Sequence, residues 1–95
     1  MKQSIPSNDV IIVTVTDRSY DLARKLSAAL PGSKIHGKRG RIQSADIYFQ
    51  NTVEHIRYLF EVGHTIIGIC AAGILIRAVG ASLNNKSTEP PIIAI

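Results

Sequence analysis

Thr65-Ile66-Ile67-Gly68-Ile69-Cys70-Ala71-Ala72-Gly73-Ile74-Leu75-Ile76-Arg77-Ala78-Val79 changes its periodicity halfway along. Thr65 to Cys70 is apolar on both faces, as a strand inside a parallel sheet must be. From Ile74 onward the apolar residues Ile74, Leu75, Ala78, Val79 and Leu83 recur at helical spacing. Only Ala71-Ala72-Gly73 lies between the two patterns. A buried strand that passes into a helix over three small residues is half of a parallel α/β unit.

The same alternation runs through the rest of the chain. Upstream, Val10-Ile11-Ile12-Val13-Thr14-Val15 is a second strand apolar on both faces. Thr16-Asp17-Arg18-Ser19 then supplies a turn and a helix cap, with Asp17 or Ser19 expected to be the capping residue. Leu22, Leu26, Ala29 and Leu30 mark one helical face, and Pro31-Gly32 stops it. Ser33 to His36 and Ala45 to Phe49 read as short strands on either side of a basic glycine loop, Gly37-Lys38-Arg39-Gly40-Arg41. Asn51 with Glu54 three residues on opens a helix that buries Val53, Ile56, Leu59 and Phe60 and ends at Gly63. Asn84 to Pro90 is a loop, and Pro91 to Ile95 forms a fifth strand.

The expected architecture is an α/β three-layer sandwich around a mostly parallel five-stranded sheet, flavodoxin- or Rossmann-like. The strands at 10–15 and 65–70 should be central neighbours, joined by right-handed crossovers. Residues 1–9 read as an amino-terminal tail and 10–95 as a single domain. Because the chain stops on an apolar strand, it is expected to be a fragment or one domain of a longer polypeptide.

Composition narrows the function classes. Of the 95 residues, 45% are hydrophobic and 19% charged, which suits a folded globular domain and not a disordered one. The formal charge is +4, and the basic surplus lies in the first half, where Lys34, Lys38, Arg39 and Arg41 cluster. One cysteine, Cys70, excludes an internal disulfide and a cysteine zinc cage, and a reducing, cytoplasmic setting is expected. The start, Met1-Lys2-Gln3-Ser4-Ile5-Pro6, lacks the apolar stretch of a signal peptide. Arg77 and three glycines break the longest apolar segment, so no membrane span is expected.

In open parallel sheets ligands bind beyond the carboxyl ends of the strands, where the strand order reverses. That rule singles out Thr16 to Ser19 and Cys70 to Gly73. Free N–H groups at Ala71, Ala72 and Gly73, helped by the helix dipole, suit a carboxylate or phosphate. Arg77 lies one turn further along the helix and Lys86 in the loop beyond it. The alternative for Gly73 is close helix–strand packing, with Arg77 extending from an apolar helix into solvent. Thr16 is the ligand candidate on the first strand, where Asp17 or Ser19 is expected to cap. Cys70 at a helix start would have a lowered pKa, although no base is placed beside it. His36, His55 and His64 lack metal-site spacing, and the last two are expected to be exposed. The basic loop is short and without interleaved aromatics, which argues against nucleic acid.

Taken together, Leu59-Phe60, Gly63, Ile66 to Val79, Leu83, Lys86 and Glu89-Pro90-Pro91-Ile92 resemble the amino-terminal domain of the cobalamin biosynthesis protein G family, CbiG. Ile11 to Leu30 and His36-Gly37 also resemble it. The chain departs from the family at Gly80-Ala81, where Ala-Pro is common, and at Glu89-Pro90, where Asp-Pro is common. In the family a glycine- and histidine-containing loop, a further helix and a separate carboxyl-terminal domain follow the fifth strand, and these would lie beyond Ile95.

The resemblance implies a place in cobalamin (vitamin B12) synthesis, within tetrapyrrole metabolism. Members open the δ-lactone of cobalt-precorrin-5A and release acetaldehyde. On that footing the parent protein is a hydrolase, and the fragment alone is expected to be inactive, with its catalytic residues unassigned. The alternative is a non-catalytic precorrin-binding or docking domain fused to a precorrin-3B methyltransferase. Thr16, Ala71, Ala72, Gly73, Arg77 and Lys86 are the expected substrate-binding residues, with no metal bound by this domain. Cobalt would enter only within the tetrapyrrole, and S-adenosylmethionine only with a fused methyltransferase. The expected partners are a polycarboxylate tetrapyrrole and other cobalamin-pathway enzymes. A homodimer is compatible with the sequence, and neither nucleic acid nor a membrane is expected. A phospho-receiver is a poor fit, since only Asp17 is acidic after the first strand.

Overall fold

Two β-branched segments form the middle of the sheet. They are β1, Val10–Thr14, and β4, Thr65–Ile69, paired in parallel from Val10↔Thr65 to Thr14↔Ile69. The computed structural model describes residues 9–80 and 91–95. Around the central pair lie β2 (Lys34–Lys38), β3 (Ile47–Phe49) and β5 (Ile92–Ala94), in the order β3-β2-β1-β4-β5. All four pairings are parallel. This is the expected α/β sandwich, and its order reverses between β1 and β4.

Side chains alternate across the sheet and divide the core in two. Helix α1, Asp17–Ala29, covers one face, where Ile12, Ala23, Ile35, Ile67 and Ile69 are buried together. Helices α2, Thr52–Glu61, and α3, Ala72–Val79, cover the other. There Ile11, Val13, Phe49, Ile56, Leu59, Phe60, Ile66 and Leu75 pack with Ala78 and Val79. A fully buried Ile or Leu contributes roughly 1.5–3 kcal/mol, so this second cluster is the main hydrophobic support of the fold.

Helix α1 corrects the sequence reading in two ways. Its innermost residue is Ala23, fully buried, whereas Leu22 is 37% exposed. A small residue lets the helix lie close on the sheet, and the face that results is Ala23, Leu26 and Leu30. The cap is Thr16 and not Asp17 or Ser19. Thr16 has extended backbone, φ −126° and ψ 154°, and its side chain accepts from the Ser19 N–H, while Asp17 is already helical. Asn51 caps α2 as expected, accepting from the Glu54 N–H at 2.9 Å. Beyond that helix, Gly63 at φ 99° makes the left-handed turn.

The second strand runs two residues further than expected and takes in Gly37 and Lys38. The reason lies in the connection to β3, which crosses between parallel strands without a helix. Its buried Ile42 lies directly on Gly37, where a Cβ would come within 2.8 Å of the Ile42 Cβ and 3.1 Å of the Ala45 Cβ. Asp46 then locks the return, since its carboxylate accepts from the Ile35 N–H and its own N–H donates to the Ile35 carbonyl. Strand β5, apolar throughout, nevertheless sits at the edge of the described sheet with Ile93 49% and Ile95 54% exposed.

Candidate functional site

The carboxyl edge of the sheet gathers the ends of β1, β2 and β4. The β1–β4 register sets Thr14 beside Ile69, so the chain leaves both central strands at the same level. On the β1 side, Thr14 is fully buried and its hydroxyl lies 2.5 Å from that of Ser19. Ser19 also donates to the Thr16 carbonyl at 2.9 Å. The hydroxyl of Thr16, the ligand candidate on this strand, is therefore already used by the cap of α1.

On the β4 side the chain passes through Cys70 and Ala71 into α3. Ala71 is the N-cap, extended at φ −60° and ψ 135°, and no side chain caps the helix. The Ile74 N–H bonds back to the Ala71 carbonyl, whereas those of Ala72 and Gly73 precede any intrahelical acceptor. Ala71, Ala72 and Gly73 are all exposed. A Cβ on Gly73 would meet nothing within 4 Å, so close packing is not the role of this glycine. Gly68 has that role, lying directly under Leu75. Cys70 is half-buried against the core, and burial pushes its thiol pKa up, the reverse of what a helix start alone predicts.

Beside this helix start is an apolar groove of about 310 Å³, lined by Ala72, Leu75, Ile76, Val79, Ile92 and Ala94. Ala72 belongs to both. The arrangement offers hydrogen-bond donors and a positive dipole end beside an apolar wall, which suits a ligand that is apolar in its body and anionic at its rim.

Arg77 is exposed in the last turn of α3. Its carbonyl and that of Ala78 accept from Arg57 of α2, at 3.4 Å and 2.9 Å. Arg57 thus closes the far end of α3 and ties the two helices together, a contact with no signal in local spacing. Lys86, the remaining site candidate, lies outside the described residues, as do Leu83 and Glu89-Pro90. The basic loop is partly committed. Lys38 donates to the Gln50 carbonyl, Arg39 lies 5.8 Å from the Tyr48 ring centroid, and Arg41 is exposed.

Sequence spacing missed a histidine pair. His36 of β2 is buried, and its Nδ1 lies 2.8 Å from Nε2 of His55 on α2, a residue expected to be exposed. The His55 ring stacks on Phe49 with centroids 4.7 Å apart and planes 9° apart. Burial, reinforced by His55 and His64 and opposed by Asp46, holds the His36 pKa at about 4, and burial also lowers that of His55. The signal was available only in hindsight: two histidines 19 residues apart, one on a strand and one on the helix that crosses it. Among the described residues no group of three or more His, Cys, Asp or Glu could hold a metal ion. Among them, too, no helix is long and apolar enough to cross a membrane.

No curated protein and no solved structure matches the chain. Residues 54–95 match the family described as Cobalamin synthesis G N-terminal. The matched segment holds most of α2 with β4, α3 and β5, and so includes Ala71 to Gly73, Arg77 and Lys86; Thr16 and the basic loop precede it. The match supports a role in cobalamin synthesis.

Proposed function

We propose that the carboxyl edge around α3 binds a polycarboxylate tetrapyrrole, and that the parent protein opens the δ-lactone of cobalt-precorrin-5A with release of acetaldehyde. The observation that carries the reading is the uncapped start of α3 beside an apolar groove, inside the segment that matches the family. A precorrin combines an apolar macrocycle with acetate and propionate groups at its rim. The macrocycle would lie against Leu75, Ile76 and Ile92, and a rim carboxylate would take the Ala72 and Gly73 N–H groups.

Lactone opening adds water to the ester carbonyl, passes through a tetrahedral oxyanion and releases the ring oxygen as a hydroxyl. Loss of that hydroxyl's proton then forms the aldehyde carbonyl as the bond from its carbon to the macrocycle breaks, and the electron pair left on the macrocycle takes up a proton. With the lactone carbonyl there in place of a carboxylate, the same two N–H groups would stabilise that oxyanion, because they are fixed before the reaction begins. Arg77 and Arg41 are available to neutralise further carboxylates, and Lys86 is proposed as a third cation. The cobalt belongs to the substrate.

Incubating the full-length protein with cobalt-precorrin-5A and assaying acetaldehyde tests the proposal. Release that depends on the protein supports it. Tight binding without release favours the alternative, a docking domain for a fused precorrin methyltransferase. Neither binding nor release defeats both.

A further inference from the structure

The two imidazoles that join β2 to α2 face each other almost head-on. Their nitrogens are 2.8 Å apart and their ring centroids 5.0 Å apart, so the line between the centroids runs nearly through both nitrogens. Such a contact uses one N–H and one lone pair, so it survives while one ring stays neutral; a first proton can sit on the far nitrogen of the donating ring. A proton on the accepting nitrogen would leave two N–H groups pointing at each other with no acceptor between them. His36 is only 8% exposed, so water has little access to replace the lost bond.

The surroundings give the added charge little relief. Val13 of β1 and Phe49 of β3 flank the pair without charge. His64, at the turn before β4, repels a cation on His36, and only Asp46 of the β2–β3 connection favours one. Lys38, two residues along β2, is bonded to the Gln50 carbonyl at the β3–α2 turn. Arg57, the next cation on α2, is bonded to the end of α3. Glu54 borders His55 at a shallow depression of about 360 Å³, also lined by Phe49, Gln50 and Asn51.

We propose that the His36–His55 hydrogen bond is an acid-sensitive latch holding the start of α2 on β2, and that protonation of both rings opens the depression beside Phe49. The open form is the one in which His36 gains water and titrates normally. Opening therefore becomes more favourable as the pH falls from 6.5 towards 4, and levels off below that.

Two measurements on the 95-residue chain test this. The first is a titration of the histidine ring signals by nuclear magnetic resonance. The latch requires His36 to titrate near pH 4 in the folded protein; a midpoint at 6.5 overturns it. The second is amide hydrogen exchange in α2, corrected for intrinsic rates, in the wild type and in His36→Gln, which cannot titrate. In the wild type, protection at Ile56, Leu59 and Phe60 should fall roughly a hundredfold between pH 7 and pH 4. In His36→Gln it should change less than about threefold. Equal losses in both proteins overturn the latch. If His36→Gln does not fold, the wild-type ring titration decides alone.

Discussion

Leu75 of α3 lies directly on Gly68 of β4, with no space for a methyl group between them: a Cβ there would come within 2.7 Å of the Leu75 Cδ2. This contact sets the height of α3 above the sheet, and with it the position of the exposed N–H groups at Ala72 and Gly73.

Gly68→Ala should therefore force Leu75, which is 4% exposed, out of its place in the core. Overpacking of this kind costs about 1–3 kcal/mol. Urea unfolding should show a lower midpoint with an unchanged slope. If the helix shifts instead of the side chain, tetrapyrrole binding should fall together with stability.

Gly73→Asp separates binding from folding. The position is open and lies in the first turn of α3, where a carboxylate is stabilising by about 0.3–1 kcal/mol. The protein should be as stable as the wild type or slightly more so, while affinity for a water-soluble polycarboxylate porphyrin should drop about tenfold or more. Isothermal titration calorimetry reads the second effect and thermal unfolding the first. Undiminished binding would place the anion elsewhere.

Thr16→Ala removes the cap of α1 and should cost about 0.5 kcal/mol in urea unfolding. The Ser19 N–H keeps its bond to the Thr16 carbonyl, so the loss should stay near the lower end for such caps. If tetrapyrrole affinity is unchanged in this variant, Thr16 serves the helix and not the ligand.

Stability should also depend on pH through His36. Its pKa is lowered from 6.5 to about 4 on folding, so the unfolded chain binds the proton more readily. The contribution is fully present above pH 6.5 and is lost as the pH falls through about 4. His55, lowered by burial, acts in the same direction. Urea midpoints should fall steadily across this range in the wild type and less steeply in His36→Gln.

Much of the fold follows from local periodicity. The apolar runs at 10–15 and 65–70 determined two central parallel strands, because only a strand covered on both faces can be apolar on both. Asn51 with Glu54, and Gly63 with its left-handed turn, marked the ends of α2 for reasons contained within a few residues of chain. The three small residues at 71–73 pointed to an exposed helix start for the same reason.

What tertiary structure alone decided is how those elements meet. Spacing favoured Leu22 on the inner face of α1, yet the close approach of the helix selects Ala23. Gly37 belongs to a strand because Ile42, five residues later, folds back onto it. Arg57 closes α3, and His36 finds His55, across gaps of about 20 residues. Local patterns determine which way a side chain points relative to its own helix or strand. Which side chain stands opposite it depends on the register and height at which separate elements pack, and those are settled only when the core closes.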